Sequence, residues 1–173
     1  MLLHQGIGLA TFNALPQRRA MHALYECCNH VALARDLARA RAYDDHDALF
    51  RRADALLFSL PDSGIDGILE AYPHVGARPR STRSAAEQCA VWNDDAEVMA
   101  GLNDAAARYR TQFGFDFVMF VNGLGCAEVS AALTDRLHND LETERKVVRN
   151  ELAKINRTRL ERMLGPEGGY QNW

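Results

Sequence analysis

Phe113-Gly114-Phe115-Asp116-Phe117-Val118-Met119-Phe120-Val121 is followed by Asn122-Gly123-Leu124-Gly125. A long polar–apolar pattern then closes on Ile155-Asn156-Arg157-Thr158-Arg159-Leu160. The reading of this half of the chain decides the fold. A run of aromatic and β-branched residues has the composition of a buried segment. It is β-like, yet an extended turn packed between helices fits it equally well. The glycines at 123 and 125 break it. Beyond them, Ala127–Leu133 reads as a helix, Asn139-Asp140 as a break, and Leu141–Leu164 as one long helix of 3.6-residue period. A buried strip feeding a charged helix can present backbone N–H groups to an apolar pocket and bring an arginine back over it.

Working outward, the remaining segments also carry helical spacing. Asn13-Ala14-Leu15-Pro16 is a start signal with Pro16 in the first turn. Ala20, Ala23, Leu24 and Cys27 carry the helix that runs to about Asn29, and Val31, Leu33, Ala34 and Leu37 carry the next one. Asp45 or Asp47 caps a third helix through Leu57. Pro61-Asp62-Ser63-Gly64 reads as a turn, Ile65–Ala71 as a short helix, and 77–83 as a basic, turn-rich loop that could act as a lid. Ser84-Ala85-Ala86-Glu87 has the S-x-x-E pattern of a capping box opening another helix, and 96–113 is helical again. The expected fold class is all-α: one helical domain over residues 1–165, with short links that favour antiparallel neighbours, and a tail over 166–173.

A chain of 173 residues with 47% hydrophobic content is long enough to bury a core. A formal net charge of −3 and interleaved acids and arginines exclude an electrostatic nucleic-acid binder. No apolar run approaches the ~20 residues that span a bilayer, so no membrane partner is expected. Met1–Gly6 shows neither a basic segment nor a long apolar one, and no peroxisomal tripeptide ends the chain, which points to the cytoplasm. Cys27, Cys28, Cys89 and Cys126 form no C-x-x-C pair, so they read as reduced, mostly buried thiols and no metal site is expected. His22, His30, His46 and His138 read as surface or capping histidines.

The ordered set of motifs resembles the OHCU decarboxylase family. Phe12-Asn13-Ala14-Leu15, Ser84 with Glu87 and Gln88, the strip from Phe113, Asn139-Asp140 with Glu142-Thr143-Glu144, and Ile155 to Leu160 all have counterparts there. The resemblance implies an all-α bundle of the OHCU-decarboxylase type. It also implies a cofactor-independent enzyme that converts 2-oxo-4-hydroxy-4-carboxy-5-ureidoimidazoline (OHCU) to allantoin in urate breakdown, and a homodimer whose only other partner is its small-molecule substrate.

Each implied site residue also has a plainer reading. Ser84 and Glu87 make a common capping box; by resemblance Ser84, Glu87 and Gln88 line the substrate site, the carboxylate binding a hydroxyl or a ureido N–H. Phe117, Val118, Met119 and Val121 are core residues; by resemblance their backbone groups grip a flat heterocycle. Asp116 stands where the family has proline, which restores an N–H donor and adds a charge. Arg159 is a surface cation near a helix end; by resemblance its guanidinium fork points into the pocket and steadies a planar carboxylate.

The family's Ala-His-Pro-x-Leu/Ile-Gly motif is Ala71-Tyr72-Pro73-His74-Val75-Gly76 here. Tyr72 therefore occupies the slot of the catalytic histidine, with Pro73 beside it. A phenol of pKa about 10 is a far weaker base than an imidazole near 6.5, but it can donate a hydrogen bond. Three outcomes remain open. Tyr72 serves a changed proton transfer on a related substrate, His74 takes over, or the site is inactive and only binds a purine- or allantoin-like ligand. The changed reaction would be another decarboxylation, cyclisation or isomerisation in specialised metabolism.

Overall fold

The computed structural model describes residues 6–72, 91, 93 and 95–166. Eight helices occur among them and no strand: α1 Leu9–Ala14, α2 Gln17–Cys28, α3 Val31–Arg39, α4 His46–Ser59, α5 Asp62–Ala71, α6 Ala96–Phe113, α7 Cys126–Arg136 and α8 Leu141–Leu164. The fold is all-α. None of the described helices is long and apolar enough to cross a membrane.

Local chemistry sets most of the boundaries. Asp45 caps α4, its Oδ1 accepting from the Ala48 N–H at 2.6 Å. Asp95 caps α6 by accepting from the N–H groups of Glu97 and Val98. His30 caps α3, with Nδ1 accepting from the Leu33 N–H at 3.1 Å. Gly114, at φ 81°, ends α6 in the left-handed conformation that costs a residue without a Cβ little. Before α7, the Glu128 carboxylate accepts from the Gly125 N–H at 2.7 Å.

Two expectations are corrected and an open one is decided. Pro61-Asp62-Ser63-Gly64 is not a free turn: α5 begins at Asp62, and Pro61 precedes it as an acceptor for the Gly64 N–H. Asn13 and Ala14 of the start signal end a short helix, α1, and Pro16 is the N-cap of α2 rather than part of its first turn. Residues 115–121 form neither helix nor strand, so the extended-turn reading holds.

The chain divides into two compact units, one of residues 1–64 with 153–173 and one of 65–152; the boundaries fall inside α5 and α8. In the first unit Phe12, Leu24, Leu33, Leu37, Leu49, Phe50 and Leu160 are buried in one apolar cluster. Each such side chain contributes roughly 1.5–3 kcal/mol by leaving water. Arg41 closes helix ends there: its guanidinium donates to the carbonyls of Ala38, Phe12 and Leu15 at 3.0, 2.9 and 2.8 Å. The Ile7 and Gly8 N–H groups likewise bond the Met163 and Leu164 carbonyls at the end of α8. The backbones of Gly6 and Gly165 approach so closely there that a Cβ on Gly6 would lie 2.0 Å from the Gly165 nitrogen.

Candidate functional site

In the second unit, α6 carries Met99, Leu102, Ala105, Tyr109 and Phe113 on its buried face. The helical spacing ends at Phe113, and the strip that follows brings Phe115 and Phe117, at two-residue spacing, to the same Tyr109 ring. Tyr109 meets Phe113, Phe115 and Phe117 with ring centroids 4.7, 5.9 and 5.2 Å apart, the last two edge-to-face. Arg136, at the end of α7, lies with its Cζ 4.4 Å from the Phe117 ring centroid. Its Nη1 donates to the Val118 carbonyl at 2.6 Å and its Nε to Glu144 Oε1 at 2.7 Å. Tyr109 donates its hydroxyl to that same oxygen, and Asn139 Nδ2 donates to Oε2 at 2.8 Å. Glu144 is fully buried, and Arg136 is nearly so. Burial, and then the hydrogen bond to Glu144, hold the Tyr109 phenol protonated well above its usual range.

A second carboxylate reaches the strip from α8. Glu151 accepts from the Phe120 N–H at 2.7 Å. The Val121 carbonyl accepts from the Leu124 N–H at 3.0 Å, which tightens the turn after the strip. Three backbone groups of the strip are thus fixed from inside. Phe117, Val118 and Val121 bury their side chains, whereas Met119 and Phe120 are half-buried. Asp116 pairs with Arg110 at 3.5 Å on the rim of the same segment. The Arg145 guanidinium lies 4.1 Å from the Phe115 ring centroid and pairs with Asp66 of α5.

In the first unit, Arg159 is 6% exposed, so the surface-cation reading does not hold for it. Its Nη1 donates to the Cys27 carbonyl at 3.3 Å. Arg157, two residues earlier, does lie on the surface; it covers the Phe50 ring at 4.8 Å and pairs with Asp47 and Glu161. The adjacent Cys28 thiol donates to the His30 carbonyl at 3.6 Å. Burial pushes that thiol up to about 11, against the opposing effects of this bond and of the Arg159 charge. Asn156 is buried on α8, and its side-chain oxygen has no hydrogen-bond partner.

The predicted site residues therefore fall into three groups. Tyr72 follows α5 in the second unit, half-buried, with its N–H on the Leu69 carbonyl at 3.1 Å; Phe117, Val118, Met119 and Val121 belong to the same unit. Arg159 belongs to the first unit. Pro73, His74, Ser84, Glu87 and Gln88, together with the 77–83 loop, lie outside the described residues. Cys27, Cys28 and Cys126 are buried and free of disulfides, and Cys89 lies outside the described residues. Among the described residues no cluster of three or more histidines, cysteines or carboxylates is placed to hold a metal.

Sequence reasoning gave no role to Arg136, Glu144, Glu151 or Asn156, although Glu144 and Asn156 fall within matched motifs. A signal for two of them exists in the spacing along α8: Glu144, Val148, Leu152, the pair Ile155-Asn156, and Arg159 recur at three to four residues, and all are buried. A polar or charged residue on such a stripe marks a buried partner or a site.

The family model for OHCU decarboxylase matches residues 13–161. The chain belongs to that family. It is 30% identical over 118 residues to the 2-oxo-4-hydroxy-4-carboxy-5-ureidoimidazoline decarboxylase of Mus musculus, covering 64% of this chain and 66% of that one. The corresponding protein of Halalkalicoccus jeotgali is 31% identical over 110 residues, covering 60% and 61%. The uric acid degradation bifunctional protein of a Bacillus species is 25% identical over 135 residues, which are 72% of this chain and 25% of that protein. The matches thus span a quarter to about two thirds of these relatives. A crystal structure of OHCU decarboxylase in the presence of (S)-allantoin superposes with a TM-score of 0.70 at 20% identity, covering 81% of this chain and 95% of that one. One of (S)-allantoin synthase gives 0.74 at 18%, covering 91% and 54%. These two likenesses establish the shared fold of this OHCU-decarboxylase-family chain.

Proposed function

We propose that this chain is a cofactor-independent carboxy-lyase of the urate-breakdown type, acting on a small nitrogen-rich heterocyclic carboxylate. The observation that carries the reading is Arg159. A guanidinium at the family's closing Ile-x-Arg-x-Arg-Leu pattern is buried, and its planar fork of donors matches the geometry of a carboxylate. In the reaction the bond to the carboxylate breaks, carbon dioxide leaves, and the electron pair spreads over the ring until a ring carbon takes a proton. Arg159 steadies the carboxylate, Glu87 and Gln88 hold the hydroxyl and ureido groups with Ser84, and Tyr72 or His74 handles the proton beside Pro73. The internal bonds at Val118, Phe120 and Val121 narrow the ring-gripping role of the strip to its remaining backbone groups, those of Met119 among them. The expected assembly is a homodimer in the cytoplasm.

Tyr72 supports two departures from the family reaction. A phenol in the histidine slot is suited to donating a proton at neutral pH and poorly suited to removing one, which favours a changed decarboxylation, cyclisation or isomerisation in specialised metabolism. It equally favours an inactive homologue that binds a purine- or allantoin-like ligand. Freshly generated OHCU, followed by circular dichroism of the allantoin formed, separates the readings. Turnover above buffer, lost in Glu87→Ala, supports the family reaction. Turnover that appears or rises at least tenfold only in Tyr72→His places the block at that one side chain. No turnover in either protein, with allantoin bound in calorimetry, supports the binding homologue.

A further inference from the structure

Asn156 stands three residues before Arg159 on α8, and side chains at that spacing share a helix face. It is 3% exposed, and its Oδ1 is the one buried side-chain polar atom among the described residues without a partner. Such an acceptor costs the folded protein its lost hydration with nothing in return. A leucine, which has the same branched shape, would occupy the position without an unanswered acceptor. The other buried polar side chains of α8 do not share the condition: Glu144 is bonded through both oxygens and Arg159 donates to the Cys27 carbonyl.

We propose that Asn156 is a specificity-determining residue: its amide oxygen accepts a hydrogen bond from an N–H of the ligand whose carboxylate Arg159 binds. The inference deepens the carboxy-lyase reading and rests on it for the role of Arg159. An acceptor buried in this way discriminates sharply, because a ligand that offers a methylene or an ether oxygen leaves it unanswered. The ligand class is therefore an anion that carries a ureide or amide N–H near its carboxylate. Asn156 supplies the acceptor and Arg159 the cation, so affinity for the anion alone and preference for the N–H are separable properties.

Two probes of nearly equal shape test this. N-carbamoylglycine is a ureide anion; levulinate replaces its NH and NH2 by CH2 and CH3 and keeps the carbonyl and carboxylate. Binding to the intact chain is followed by NMR titration. The wild type is expected to prefer N-carbamoylglycine at least tenfold, and Asn156→Leu to bind the two within threefold of each other. Asn156→Leu should also melt at or above the wild-type temperature without ligand, since it removes an unanswered acceptor. If the leucine variant does not accumulate folded, Asn156→Ala reads the same loss of preference. Equal affinity for both probes in the wild type, binding of neither, or a preference that survives in the variants overturns the proposal. OHCU turnover is scored separately: turnover without the preference sinks Asn156 alone, and the preference without turnover sinks the decarboxylase reaction alone.

Discussion

Around Glu144 the buried polar groups are answered from several sides, whereas around Asn156 one is left open. Glu144 takes Tyr109 and Arg136 on one oxygen and Asn139 on the other, and Arg136 uses a further donor on the Val118 carbonyl. Asn156, about one turn of helix before Arg159, keeps an unanswered oxygen. Both belong to the same helix and both are buried, so burial alone does not separate structure from function. Completeness does. A closed network in a low-dielectric interior holds one geometry, here that of the strip through Val118. An open acceptor is completed by something that arrives. The comparison assigns the first region to positioning and the second to recognition.

The largest expected effect tests the closed region. Glu144→Ala leaves the Arg136 guanidinium and the Tyr109 hydroxyl without their common acceptor inside the second unit. Removing one partner of a buried ion pair costs about 3–5 kcal/mol. Urea unfolding of the variant should show a loss in that range, and a loss under ~1 kcal/mol would remove Glu144 from the structural side of the comparison.

A second effect, in alkali, concerns the open region. Burial disfavours the thiolate and pushes the folded Cys28 thiol up from its ordinary value of 9.0 to about 11. The raised folded value means that the native state holds the proton longer. Its contribution to stability is complete below pH 9 and is lost as pH rises toward 11, at a slope of up to ~1.4 kcal/mol per pH unit. The difference in unfolding free energy between wild type and Cys28→Ala should therefore shrink across that window by about 2 kcal/mol. Tyr43, pushed up to about 12 by burial, acts later on the same scale in both proteins. A flat difference from pH 8 to 11 would show that Cys28 is not held neutral. Its neutrality matters to the comparison, since no thiolate then competes with a ligand anion for the Arg159 charge at neutral pH.

The same contrast explains what was readable in the sequence. α6 and α8 were legible with their bounds, because Asp95, Gly114 and the Asn139-Asp140 break are local signals that act within one turn. α1 was not: six residues give too little periodicity, and its ends are held by Arg41 and the C-terminal end of α8, partners distant in sequence. The 115–121 strip has strand composition but no neighbouring strand among the described residues; Arg136 and Glu151 supply the partners that a sheet ladder would. Arg159 was identified by motif, yet its burial was not, since a charge on a long polar helix reads as solvated until its helix face is counted together with Val148, Leu152 and Ile155. Tyr72 in place of histidine was visible at once, and the residues around it from Pro73 to Gln88 lie outside the described set.

The smallest effect is the sharpest check on completeness. Asn139 donates to the oxygen of Glu144 that neither Tyr109 nor Arg136 uses. If the region works as a closed network, Asn139→Ala should cost about 1 kcal/mol, or somewhat more because the remaining acceptor is buried. The exposed Lys146–Glu142 pair is the control, since Lys146→Ala should leave stability essentially unchanged, as loss of a solvated i,i+4 pair does. The decisive quantity is the double-mutant cycle. Combined with Glu144→Ala, Asn139→Ala should add almost nothing, because its partner is already gone. Additive losses would mean that Asn139 supports the α7–α8 link on its own and that Glu144 is less fully engaged than its geometry implies, which would narrow the difference between the two regions.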